Sequence, residues 1–228
     1  MADAGVANMA IFDVRSALSG EPFALFDLEF TCWEGSVARG WSGPGEAREI
    51  VQIGAVRVRW TGSELVEEAA FDVLCFPVRN PTLSNYFVRL TGISQSDLES
   101  RGIRASRAAG RFSAFVGAGT AFSFGADADV VAENGVSGAF VFPSLDRLGD
   151  VSSFLRSRLA LPPGTTSGEL AERVGAVAAG TVLAGAGVHD ALHDARSLAR
   201  GLSFALALEL ERGVSRELAL VGENSVMP

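Results

Sequence analysis

An α/β fold built on a mixed five-stranded sheet flanked by helices is what this 228-residue sequence predicts, and three observations carry that prediction. Strand-length apolar runs crowd the first part of the chain, the period then shifts to that of amphipathic helices, and two further short apolar runs alternate with those helices. Early strands followed by alternating helix and strand require strands of both directions. With 48% hydrophobic and 20% charged residues, the chain can bury one substantial core. Residues 1–228 therefore read as a single domain, its core spanning about 22–212 between short terminal extensions.

Phe23-Ala-Leu-Phe-Asp-Leu-Glu-Phe30, entered from Pro22, reads as a buried strand with two acids embedded in it. Residues 31–47 gather Gly35, Gly40, Gly43, Pro44 and Gly45, the composition of a mobile loop. Glu49 to Trp60 alternates in its second half as a half-exposed strand does. Thr61-Gly62-Ser63 is a turn, and Ala69 to Val78 returns as a third strand, making a hairpin with the second. Beyond Pro77 and Pro81, Ile103, Ala108, Phe112 and Phe115 share one face of a helix over 104–116. Ala121 to Phe124 is the fourth strand, Asp127 to Asn134 a short helix, and Ala139 to Phe142 the fifth strand. Helices follow at about 146–159 and 168–177, and His189 opens a long one running to about Arg212.

All 19 basic residues are arginine, against 27 acids, for a net charge of -8. By itself that argues against a protein coating nucleic acid through a broad basic surface. Cys32 and Cys75 form no CxxC pair and read as free thiols in a reducing cytoplasm. The N-terminus lacks the basic region and apolar core of a signal peptide. The longest uncharged run, Val174 to Val188, is about 15 glycine-rich residues, short of the roughly 20 that span a bilayer. No membrane span is expected.

Asp27 and Glu29 are the most informative residues. Two apart in a strand, they point to the same face. Buried side by side they repel, and a pair of divalent cations about 3.5–4 Å apart would offset that; oxygen ligands of this kind suit magnesium or manganese. The competing reading turns one acid to solvent at the strand end. A second cluster, Ser123-Phe-Gly-Ala-Asp-Ala-Asp129, puts an acid after another apolar strand, where α/β sheets form ligand crevices, although Asp127 could equally cap a helix. In the third, His189-Asp-Ala-Leu-His-Asp194, His189 and Asp194 stand about 7.5 Å apart along a helix axis and could flank one site. His189 and His193 have the i,i+4 spacing of zinc ligands, but the glutamate of a zinc protease is absent between them.

Together and in this order, these clusters resemble the DEDDh 3′-5′ exonucleases, the family of RNase T and polymerase proofreading subunits. Phe26-Asp27-Leu28-Glu29 resembles the first motif, and its continuation to Gly35 is most similar to the RNA 3′-end trimming branch. Glu49 to Val56 resembles the family's second strand, Tyr86 to Ser94 its turn beside the site, and His189 to Arg196 its last motif. The resemblance covers roughly residues 22–203 and implies a ribonuclease-H-like fold. Phe124 stands where many members of the branch carry tryptophan, and the segment 142–188 is a loose match.

The resemblance further implies that Asp27, Glu29, Asp127 and Asp194 hold two Mg2+ ions, with Mn2+ as a substitute. Asp129 is the alternative to Asp127. His189 would take a proton from the attacking water, releasing nucleoside 5′-monophosphates from the 3′ end of single-stranded RNA or short oligonucleotides. Activity is then expected to rise as pH passes about 6.5, with the acidic neighbours able to move that value upward. Phe30, Thr31 and Trp33 follow the metal acids, and the two aromatics could stack on terminal bases or belong to the core. Leu90 and Thr91 resemble the family's wedge and contact near the 3′ end. Arg101, Arg104, Arg107 and Arg111 fall at helical spacing, either as a phosphate track or as a solvated face.

Three other readings compete: the same chemistry on DNA in proofreading or repair, a catalytically silent binding scaffold, and a nucleotide-binding oxidoreductase suggested by Gly185-Ala-Gly187. A silent domain has no reason to keep acids in an apolar strand, and the glycine pattern lacks its third glycine and its ribose-binding acid. Two divalent ions would contribute +4 locally and invert the sign of the acidic site. Such a protein should hold a few nucleotides at a 3′ end and bind long duplexes poorly. The apolar helix Leu202 to Leu210 packs either on the core or on a second copy in a homodimer.

Overall fold

The protein is described by a computed structural model over residues 9–138, 140–175 and 189–224, with side chains as far as Gly213. Its strands are β1 (Phe23–Phe30), β2 (Ile50–Trp60), β3 (Leu65–Phe76), β4 (Ile103–Arg104), β5 (Ala121–Ser123) and β6 (Leu148–Asp150). They form a six-stranded sheet in the order β4-β3-β2-β1-β5-β6. β1, β2 and β3 are antiparallel neighbours, whereas β5 runs parallel to β1, β6 to β5, and β4 to β3. The mixed α/β class holds, with six strands where the sequence predicts five, because β4 has only 2 residues and no periodicity to display.

The helices are α1 (Val14–Leu18), α2 (Asn85–Thr91), α3 (Gln95–Arg101), α4 (Ala105–Val116), α5 (Asp127–Val136), α6 (Ser152–Leu159), α7 (Leu170–Arg173) and α8 (Ala191–Asn224). Alternation along β1 divides the core. Ala24, Phe26 and Leu28 face α4 and α5 through Phe112, Val130 and Val131, while Phe23 and Leu25 face α6, α7 and α8 through Leu155, Leu170, Leu198 and Leu202. Asp27 and Glu29 share the parity of Phe23 and Leu25, so their carboxylates emerge on the α8 side. A third cluster, around Phe87, Leu98 and Val51, lies under α2 and α3.

The expected fifth strand at 139–142 is not one. Ala139 is outside the described residues, and Phe140 and Phe142 are buried without strand pairing. Their alternation mimics a strand, yet the Phe140 N–H donates to Asn134 O and closes the end of α5. The place beside β5 is taken by β6, which interrupts the helix expected from 146, so α6 starts only at Ser152. The helix expected over 168–177 is a 3-10 turn at Ser167–Glu169 followed by α7, and its last two positions lie outside the described residues. Two helices carry signals of their own: Ser84 caps α2 by accepting the Phe87 N–H, and Ser94 with Asp97 forms a capping box on α3. What resembles a turn at Tyr86–Ser94 is therefore α2 and its exit through left-handed Gly92.

Leu202, Ala205 and Leu206 of α8 are buried in the core of this chain, while Phe204 is 44% exposed. No helix among the described residues is long and apolar enough to cross a membrane.

Candidate active site

β1 is flanked by strands on both sides, and its two acids emerge at the end where β5 also finishes. Asp27, Glu29, Asp127 and Asp194 are all buried, and all line one cleft of about 330 Å³ together with His189. Asp127 comes from the first turn of α5, shortly after β5 and without a side-chain capping bond, so its carboxylate is left for the cleft. Asp129 is exposed and does not line it.

His189 does not open α8 but stands two residues before it, in the left-handed backbone region with φ 58°. Ligand atoms of Glu29, His189 and Asp194 lie within 4.8 Å of one another. His193 is not part of this cluster, the one such group among the described residues. The Gly185-Ala-Gly187 segment lies outside the described residues.

Further contacts to the acids come from residues the sequence does not single out. Ser167 Oγ donates to Asp27 Oδ1 at 2.7 Å within the buried wall of the cleft. At the next residue, a Cβ on Gly168 would stand 2.4 Å from Asp194 Oδ1, so glycine leaves that carboxylate its place. Ser197 Oγ donates to Gly168 O at 2.8 Å and ties the Ser167–Glu169 turn to α8. Asp150, at the end of β6, accepts from Gly125 N at 2.9 Å and Ser152 N at 2.7 Å, which holds the turn that delivers Asp127. If Asp194 holds a metal ion, replacing Gly168 by alanine should lower turnover by about 10–100-fold, the range for residues that support metal ligands, while the melting temperature changes little. Parental turnover in that variant would show that Asp194 has room to move.

Burial pushes the carboxyl groups of Asp27 and Glu29 well above the usual range, and repulsion from the neighbouring acids adds to it. Burial likewise pushes Asp127 up to about 8 and Asp194 up to about 7, with help from Asp150 and Asp190 respectively. Buried oxygens that repel one another are the donor set of a hard divalent cation, so the residues present fit a metal centre. Burial lowers His189, opposite to the upward pull expected from acidic neighbours. Cys32 also lines the cleft, but burial and Glu29 hold its thiol at about 11, which keeps it from acting as a nucleophile at neutral pH.

Around the acids the cleft is apolar. Phe30 and Leu90 line it, joined by Trp41, Tyr86 and Phe124. Trp33 is not in its lining; Trp41 is, with Nε1 donating to Thr31 O at 3.0 Å and its ring 5.6 Å from that of Phe30. The hydroxyls of Thr31 and Thr91 are engaged with main chain, Thr31 with Ala47 O and Thr91 with Phe87 O. Arg101, Arg104, Arg107 and Arg111 do not form a track into the cleft. Arg101 belongs to α3 and pairs with Asp97, and α4 packs on the face of the sheet opposite the acids.

A mixed sheet with four acids and a histidine gathered at the end of its central strand defines a nuclease-type site. A family model described as exonuclease, RNase T, matches residues 25–202, and the chain belongs to that family of 3′-5′ exonucleases. No curated protein matches it by sequence. Among solved structures, a 3′-exonuclease in "3′-end specific recognition of histone mRNA stem-loop" is 17% identical with a TM-score of 0.65, covering 90% of this chain and 67% of that one. The nuclease domain of 3′hExo, a DEDDh family member bound to rAMP, is 16% identical with a TM-score of 0.59, covering 86% and 94%. E. coli Exonuclease I in complex with an oligonucleotide is 14% identical with a TM-score of 0.57, covering 85% of this chain and 42% of that one. At these identities the likeness is one of fold.

Proposed function

We propose that the chain removes nucleotides from the 3′ end of single-stranded RNA or short oligonucleotides, releasing nucleoside 5′-monophosphates. One observation carries the reading: buried carboxylates from three distant segments converge with a histidine on one cleft of about 330 Å³. Asp27, Glu29, Asp127 and Asp194 would hold two magnesium ions, or manganese in their place. Bound there, the metal would draw in the scissile phosphate, acidify the attacking water and stabilise the departing 3′-oxygen. Ser167 holds Asp27 in orientation. The neutral imidazole of His189 accepts the proton from water, and Trp41, Phe30 and Leu90 offer apolar faces to the terminal bases. The RNA preference is supported by the Phe30–Gly35 segment, which resembles the trimming branch, and by the mRNA and rAMP named for two structural neighbours. DNA is the second reading, supported by the fold shared with Exonuclease I and its oligonucleotide.

The test uses 5′-labelled RNA and DNA of matched sequence with magnesium, manganese or EDTA, alongside Asp27→Ala. A one-nucleotide ladder on RNA that vanishes in EDTA and in Asp27→Ala is expected. A ladder that survives either would sink the two-metal reading, and tight binding without any ladder would favour a scaffold. Because only the neutral imidazole accepts a proton and burial lowers His189, the acidic limb of the rate profile should fall below about 6.5, the ordinary histidine value. A profile flat from about pH 5 to 9 would rule His189 out as the base.

A further inference from the structure

The strand motif Glu49 to Val56 supplies no acid to the cleft, yet two of its residues carry the helix that does. Gln52 is buried, and its carboxamide is fully engaged. Nε2 donates to Asp72 Oδ1 at 3.0 Å and to Asp190 Oδ2 at 3.2 Å, while Oε1 accepts from Ala191 N at 3.1 Å. Two carboxylates on one side and an N–H on the other fix which end of the amide is nitrogen. The other oxygen of Asp190 accepts from His193 N at 2.8 Å, as a helix N-cap does. Gln52 thus grips both the cap of α8 and the N–H of its first residue.

The ladder between β1 and β2 places this grip beside the acids. Glu29 pairs with Gln52, and Asp27 with Gly54. Gly54 lies directly under the start of α8, where a Cβ would stand 2.0 Å from Leu192 N and 2.1 Å from Ala191 C. The helix therefore touches the sheet on the two rungs that carry Asp27 and Glu29. His189 and Asp194 lie on either side of that contact, the former in a left-handed conformation uncommon for any residue with a side chain.

We propose that Gln52 is a positioning residue for the exonuclease reaction: its carboxamide seats the first turn of α8 on β2 so that His189 and Asp194 meet Asp27 and Glu29. The role rests on the function proposed above. Gln52 acts through Asp190 and Ala191 and does not line the cleft. Its loss therefore misplaces catalytic groups while leaving the apolar walls intact.

Gln52→Met, which keeps the volume and removes the hydrogen bonds, tests this in the full chain at saturating magnesium. Turnover on a short labelled RNA should fall by about 10–100-fold, the range typical of outer-shell partners, with KM within about twofold of the parent. Amide exchange at Ala191–Asp194 should accelerate while that of β2 and β3 does not. In an Asp190→Asn background, Gln52→Met should cost much less than in the parent. Gln52→Glu keeps the acceptor for Ala191 but sets a carboxylate against Asp72 and Asp190, and should give the same local opening if the methionine variant fails to fold. Parental turnover and exchange in either variant, or fully multiplicative losses in the double variant, would overturn the role. Asp27→Ala separates the two ideas. If it is inactive while Gln52→Met turns over normally, only the positioning role falls. If it still cleaves, the site reading falls, and the exchange data alone decide whether Gln52 seats the helix.

Discussion

Asp27→Asn loses about 10³-fold or more in turnover, at least about 4 kcal/mol of barrier, while its melting temperature in EDTA rises. Both directions follow from the same group of carboxylates. Asparagine can still accept the Ser167 hydroxyl hydrogen bond, so the local geometry survives, but one of the charges that would hold a cation is gone. The charge removed is one that burial and its neighbours destabilise, and its loss relieves the folded state. Kinetics and a thermal melt on the same preparation check the pair. An unchanged rate would remove Asp27 from the site, and a lower melting temperature would mean that the acids are not in mutual conflict.

The metal-free protein loses stability as pH rises from about 4 to about 8, and magnesium restores it at the upper end. In that window the folded state retains protons on Asp127, held to about 8, and Asp194, held to about 7, which the unfolded chain releases near 3.8. Where the native state binds more protons than the unfolded one, stability falls with rising pH. It is complete below the unfolded value and lost as pH passes the folded values. Melting temperature in EDTA should drop by roughly 5 °C or more across the window, at about 2–4 °C per kcal/mol for a chain of this size. The drop should shrink when magnesium is present, because an ion that binds only the folded state adds its binding free energy. A melting temperature that is flat or rises over this range in EDTA would contradict the buried-acid site.

Elements with long, regular periods are legible in the sequence. β1 is readable to the residue because its apolar-dominated run follows a proline, and α4 because its stripe repeats at helical spacing. Short elements decided by packing are not. β6 is a strand of 3 residues containing a glycine, and Phe140 and Phe142 copy a strand pattern nearby. The acids announce themselves by sitting where apolar residues belong, and Asp129 separates from Asp127 only once α5 turns one inward and the other out. Ser167, Gly168 and Gln52 each act through partners far along the chain, which no local pattern encodes. The capping box at Ser94 and Asp97 is different, a signal that the sequence does contain.

Because the acids of β1 meet their histidine only when α8 docks across Gly54, the cleft is a product of high contact order. A ribosome emits β1, β2 and β5 long before His189 and Asp194. A nascent chain therefore carries Asp27, Glu29 and Asp127 before His189 and Asp194 exist to complete the cluster. The cleft is complete only at the end of synthesis, when the final helix docks on the sheet.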